Sequence, residues 1–240
     1  MKQAARRTVV RLPREQRERD ILDAALAIFA ERGYEETSMA EIAARGGMVE
    51  GTIYKYFENK RDLLFKVMGR WYQSMLDDYA AGLDGVHGTR NRLRYMIWRH
   101  LKSIDENPAL CRLFFREIRS DPNYHLSAIY EMNRRYTRFI TDILRDGVEA
   151  GELRDDLPAA LVRDMIYGGI EHTTWNYVCG RGELDAGAVA DAQADVVFRG
   201  IAVPSAEPPS IADAAARIER AAERIERALR PRAHRSGERA

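Results

Sequence analysis

The chain has 240 residues, and its 38 basic side chains almost balance 37 acidic ones, for a formal net charge of +1. Bulk charge is thereby excluded as a source of affinity for polyanions. Its two cysteines, Cys111 and Cys179, stand far apart and outside any CxxC pattern, which excludes a disulfide framework and a zinc site and fits a reducing cytoplasm. The most apolar run, Ala24 to Ala30, is too short to span a bilayer, and no apolar targeting core opens the chain, so no membrane partner is expected.

Residues 1–14 read as a flexible arm, with Lys2, Arg6, Arg7, Arg11 and Arg14 and no acid. Such an arm is either a solvated tail or a segment that lies along phosphates or in a minor groove. From Glu15 to Arg70, nine basic residues meet eleven acidic ones, so any DNA affinity there must come from local arrangement. A first helix spans Glu15 to Arg32, with Ile21, Leu22, Ala25, Ile28 and Phe29 in one apolar stripe and Gly33 as its stop. Ser38 with Glu41 three residues later forms a capping box, which opens a second helix that ends at Arg45. Gly46 and Gly47 suit the corner, and Val49, Ile53 and Phe57 form an i, i+4, i+8 row expected to face inward. Two short helices about a glycine corner are the pattern of a helix-turn-helix, residues 15–62 forming the domain. The outer face of the second helix presents Gly51 and Lys55, flanked by Thr52 and Tyr54, with Tyr56 at its edge. A bare backbone, hydroxyls and an ammonium suit phosphates and base edges; the alternative is an aromatic surface helix with no such role.

Asn59 is the expected cap of a long fourth helix carrying Leu63, Leu64, Val67, Met68, Trp71 and Met75 to about Ala81, with Lys60 in its first turn suited to phosphate. This element belongs to both the reader and a body spanning residues 63–203. Further helices are expected from Arg90 to Glu106, from Pro108, from Ser120-Asp121-Pro122 to Gly151, from Asp156-Leu157-Pro158 to near Gly180, and from Asp185 to Gly200, about nine in all. VPSAEPPS from Val203 reads as a linker. After it, Ile211, Ala215, Ile218, Ala222, Ile225 and Leu229 follow a heptad seam too short to be a stable coiled coil alone. Residues 204–240 thus form a linker and an amphipathic tail.

The body is rich in large apolar and aromatic residues. Trp98, Phe114, Phe115, Tyr136, Phe139, Tyr167 and Trp175, with the polar Arg116 and His172 on apolar stretches, are the candidate lining of a cavity for a small amphipathic effector. An aromatic stripe at helical spacing is more often a packed core than a pocket. Gly168 and Gly169, Trp175, Val189, Val196, Val197 and Ile201 are the candidate surface for a homodimer. No metal, cofactor or catalytic constellation is expected: the five histidines lack ligand spacing, and GxSxG, P-loop and dinucleotide fingerprints are absent.

The stretch ILDAALAIFAERGYEETSMAEIA, then GG, then GTIYKYFENKRDLL resembles the DNA-binding domain of TetR-family transcriptional repressors. The resemblance implies an all-α protein, with an N-terminal three-helix DNA-binding domain and a C-terminal helical domain for effector binding and dimerisation. It also implies a palindromic double-stranded operator, and release when an effector tilts the fourth helix. Thr37, Thr52, Tyr54, Tyr56 and Lys60 fall where members of the family contact DNA, and Ser38 and Glu50 are counted with the same surface. Two positions depart from the pattern: Val49 stands where a capping Ser is usual, and Glu50 where Lys is common. Glu50 is suited to accept from cytosine N4 or to repel phosphate. NPALCRLFFREIR resembles a segment of fatty-acid-responsive members, which points to an acyl chain or acyl-CoA as effector. A ligand-independent architectural DNA binder is the alternative.

Overall fold

The computed structural model describes residues 13–204. The basic arm up to residue 12 and the linker and amphipathic tail from residue 205 lie outside the described residues. Nine α-helices occur among the described residues: α1 (Arg14–Arg32), α2 (Met39–Arg45), α3 (Glu50–Ile53), α4 (Lys60–Leu83), α5 (Thr89–Glu106), α6 (Pro108–Leu113), α7 (Ala128–Glu149), α8 (Ala159–Val178) and α9 (Ala186–Ile201). Extended pairing among them is confined to one isolated bridge, Leu153 to Ala202.

Local chemistry accounts for most boundaries. The Ser38 hydroxyl accepts from the Glu41 amide, while the Glu41 carboxylate accepts from the Ser38 amide, so the capping box is complete. Gly47 then turns the chain at φ +62°, a conformation that costs glycine nothing for want of a Cβ. The Asn59 side chain accepts from the Asp62 amide and starts α4. Pro108 occupies the first turn of α6, where its missing N–H is no loss.

Two expectations are corrected. Val49 does not face inward with Ile53 and Phe57: it is the N-cap of α3, 74% exposed, and α3 is a single turn. A row counted at helical spacing fails at a residue that is not yet helical. The next helix does not start at Ser120-Asp121-Pro122. Instead α6 continues into a π-helical turn, Phe114–Ile118, with the Arg119 amide reaching back five residues to the Phe114 carbonyl at 2.8 Å. The Asp121 carboxylate accepts from the Asn123 amide at 2.7 Å and closes a local turn, and Ser127 caps α7 by accepting from the Tyr130 amide.

The first three helices close over Ile21, Ala25, Phe29, Ile42, Ile53 and Phe57, which meet Leu63 and Leu64 at the start of α4. Further along, α4 packs on α7 and α5, around Tyr79, Leu93, Met96, Tyr136 and Ile140. The most extensive helix pair is α5 with α9, flanked by the ion pairs Arg90–Asp195 and Arg94–Asp191. One element, α4, thus runs from the small three-helix cluster into the body. Ala202 ends this compact unit.

Candidate nucleic-acid interface and effector cavity

On the outer face of α3 and the turn after it, Glu50, Gly51, Tyr54 and Lys55 are exposed, and Thr52 and Tyr56 are half-buried. Space is open around the Gly51 Cα, so a flat surface can approach the backbone there. Lys55 has no ion-pair partner among the described residues. The Tyr54 hydroxyl lies 3.4 Å from the Glu50 carboxylate, and the Tyr56 ring lies 5.6 Å under the Arg14 guanidinium. Ser38 is exposed at the start of α2, and its amide and hydroxyl hold the Glu41 carboxyl below its usual range.

Two expected DNA-contacting side chains are instead used inside the fold. Thr37 is buried, and its hydroxyl donates to the Gly33 carbonyl at 2.7 Å. The Lys60 ammonium donates to the carbonyls of Tyr34, Glu35 and Thr37 at 2.8, 3.2 and 2.9 Å, and lies 4.4 Å from the centre of the Tyr34 ring. All three of its protons serve to clamp the α1–α2 loop to α4. The reason is geometric: the first turn of α4 faces a loop whose carbonyls follow the end of α1 and lack helical partners.

Beyond the reader, α4 turns Trp71 and Tyr72 into one wall of a cavity of about 450 Å³. The π-helical turn contributes Phe114 and Phe115, the loop after it Tyr124, α5 contributes His100, α7 Asn133 and Tyr136, and α8 Tyr167. Tyr79 and Tyr136 hydroxyls are hydrogen-bonded to one another, and the Tyr136 hydroxyl also meets His100 Nδ1. Burial holds Tyr72, Tyr79, Tyr136 and Tyr167 protonated far above the usual phenol value, and lowers His100 to about 4, so its imidazole is neutral at physiological pH. Trp71 Nε1 donates to Ser103 Oγ at 3.2 Å, and the Tyr72 hydroxyl donates to Asn133 Oδ1 at 3.2 Å. The buried Tyr124 hydroxyl has no partner among the described residues. Three guanidiniums, Arg119, Arg134 and Arg163, also line the cavity, from the end of the π-helical turn, α7 and α8; each is paired with an acid, Glu171, Glu131 and Asp164 respectively.

Of the side chains expected to line a cavity, Phe114, Phe115, Tyr136 and Tyr167 do so. Trp98 packs against Tyr95, and Phe139 meets Tyr79 edge-on, both as parts of the packed body. Arg116 lines a separate cleft between the end of α1 and α6. His172 and Trp175 lie outward on α8, in a shallow hollow with Gly168 and Glu171. They continue an exposed stripe with Leu161 and Met165, which is 64% exposed; Val196, 74% exposed, stands on α9. Gly169 and Ile201 do not belong to that surface: a Cβ on Gly169 would meet the Gln193 side chain at 2.8 Å, and Ile201 is buried. Trp71, Tyr72, His100, Asn133 and the three arginines escaped the sequence reading. Trp71 was legible as an apolar-stripe residue of the fourth helix, but nothing in its spacing distinguished a cavity wall from a core.

Residues 21–67 match the family of bacterial regulatory proteins, tetR family, and residues 87–201 match the tetracyclin repressor-like C-terminal domain. The fatty acid metabolism regulator protein of Bacillus subtilis is 28% identical over 185 residues, 75% of this chain and 93% of that protein. The transcriptional repressor KstR2 of Mycobacterium tuberculosis is 26% identical over 159 residues, 65% of this chain and 76% of that protein. Among solved structures, FadR from Bacillus subtilis in complex with stearoyl-CoA aligns with a TM-score of 0.70 at 27% identity, over 76% of this chain and 98% of the other. The ketosteroid regulator KstR2 of Mycobacterium tuberculosis aligns with a TM-score of 0.59 at 26% identity, over 78% and 96%. With a helix-turn-helix at one end, a helical effector domain at the other, and both halves matching the same family, the chain belongs to the TetR family of transcription regulators and is not an enzyme.

Proposed function

We propose that this chain is a cytoplasmic repressor that occupies a palindromic operator as a homodimer and leaves it when a coenzyme A thioester enters the cavity. The observation that carries this reading is the course of α4, which holds the reader's loop through Lys60 at one end and forms the cavity wall with Trp71 and Tyr72 further on. Residues 15–62 act as the reader and residues 63–203 as the body. Gly51, Thr52, Tyr54, Lys55 and Tyr56 meet the duplex, with Ser38 and Glu50 at the margin, while Thr37 and Lys60 hold the reader in shape. The apolar side chains exposed on α8 and α9, Leu161, Met165, Trp175 and Val196, are the surface two copies share, since exposed apolar area of this kind is disfavoured in water. A two-fold pair sets its readers about 34–36 Å apart, one turn of duplex.

The acyl part lies among the aromatic rings and the phosphates near Arg119, Arg134 and Arg163, whose pairs with acids are exchangeable surface ion pairs. Similarity to a regulator crystallised with stearoyl-CoA supports the thioester class. Entry of the acyl group displaces the turn that carries Phe114 and Phe115. That turn leads into Asp121, which is paired with Arg61 at the reader end of α4, so the displacement reaches the reader. A ligand-independent architectural binder has no use for such a cavity.

The test is selection of bound duplexes from a random pool, followed by titration of the bound duplex with acyl-CoA. A palindrome with half-sites one turn apart, released by acyl-CoA and not by free CoA, is the expected outcome. An asymmetric single half-site would overturn the dimer. Occupancy unchanged by every thioester would overturn the effector.

A further inference from the structure

A saturated acyl chain offers its surroundings only hydrocarbon. The cavity offers little aliphatic hydrocarbon in return: among its described lining residues Ile104 is the one aliphatic hydrocarbon side chain, while aromatic rings come from α4, the π-helical turn, the following loop, α7 and α8. Phe114 is the centre of an edge-to-face array, at 5.8 Å from the Tyr72 ring, 5.3 Å from Phe115 and 6.0 Å from Tyr124. A further ring extends such an array and gains from the ring quadrupoles beyond its area, as a polymethylene chain does not. The polar groups point the same way. The Tyr124 hydroxyl is buried without a partner among the described residues. The Asn133 carbonyl oxygen is engaged by the Tyr72 hydroxyl. A buried donor left unpaired opposes binding of any ligand that cannot meet it, and favours one that can.

We infer that the effector's acyl group is a flat, oxygen-bearing ring system, with the Tyr124 hydroxyl as the hydrogen-bonding partner of its ring oxygen. This inference rests on the reading of the cavity as a CoA-thioester site and goes beyond it by naming the acyl class. Tyr79, Tyr136 and His100 bond to one another, and among the described lining residues Tyr124 carries the one buried side-chain polar atom without a partner.

The full-length chain is titrated calorimetrically with four thioesters: nonanoyl-CoA, cinnamoyl-CoA and 4-hydroxycinnamoyl-CoA, which share nine acyl carbons, and stearoyl-CoA. Cinnamoyl-CoA is expected to bind more tightly than nonanoyl-CoA, and the 4-hydroxy compound to gain a further factor of about ten from one satisfied hydroxyl. In Tyr124→Phe, which removes no hydrogen bond among the described residues, that last factor is expected to vanish while the preference for a ring stays. If none of the four binds, the thioester reading falls and the inference with it. If stearoyl-CoA binds but nonanoyl-CoA equals or exceeds 4-hydroxycinnamoyl-CoA, the thioester reading stands and the ring inference is overturned. A hydroxyl preference that survives in Tyr124→Phe overturns the assignment of Tyr124. The comparison of the thioesters on the unsubstituted chain needs no variant, so it decides the acyl class whether or not Tyr124→Phe folds.

Discussion

At the reader end, polar side chains are matched within the protein. Lys60 gives all its protons to three carbonyls, Thr37 gives its hydroxyl to Gly33, and Ser38 and Glu41 satisfy one another. The cavity end leaves a buried Tyr124 hydroxyl unmatched among rings, beside a tyrosine–histidine chain whose members pair with one another. The difference teaches how the two halves divide the work. A reader must keep one shape while it meets DNA, so it presents only a few free groups on a stiff frame. An effector site must change its energy when filled, so it keeps polar groups for which the ligand is the natural partner.

The comparison is broken most severely by removing the reader's support. Phe57 is 2% exposed and joins the turn after α3 to the core. Phe57→Ala is expected to cost about 3–5 kcal/mol of stability and to abolish operator binding, read by thermal unfolding and by anisotropy of a labelled operator; unaltered melting would mean that the reader is not built on this core.

Acid probes the cavity end next. Burial lowers the His100 pKa to about 4 in the folded chain, below the ordinary value of about 6.5. The unfolded chain therefore binds the extra proton first. The stability contributed by neutral His100 is complete above about pH 6.5 and is lost as pH falls toward about 4, in total about 3 kcal/mol at most. His100→Gln is expected to flatten that loss in denaturant melts between those pH values, and an equal acid slope in the variant would refute the assignment. The reader offers no buried histidine among its described residues, so a slope arising there would also refute it.

The smallest effect sharpens the link between the halves. Asp121→Asn weakens the pair with Arg61 and is expected to leave operator affinity in place while reducing the acyl-CoA effect on it by about tenfold, about 1.4 kcal/mol of coupling. The checking measurement is operator affinity with and without saturating ligand. An unchanged ratio would place the coupling elsewhere.

Much of this was legible in the residues themselves. Ser38 with Glu41, Asn59 before an apolar stripe, Gly33 and Gly47 at turns, and Pro108 at a first turn each act within a few residues of chain. Local chemistry of that range is written in sequence, and the helix order and the three-helix reader follow from it. Three-dimensional packing decided the rest. Val49 looked apolar and inward, yet the helix begins only after it. Ser127 rather than Ser120 starts α7, because the π-helical turn consumes the residues before it. Lys60 looked free for phosphate until the end of α1 brought three carbonyls to its ammonium. Helical periodicity shows which face of a helix is buried and says nothing of what it is buried against. Cavity and core are both made of apolar stripes, and only the arrangement of six neighbouring segments leaves a space between Trp71, Tyr124, Tyr136 and Tyr167, while packing the half-buried Trp98 and Phe139 against the core and sending His172 and Trp175 to the surface.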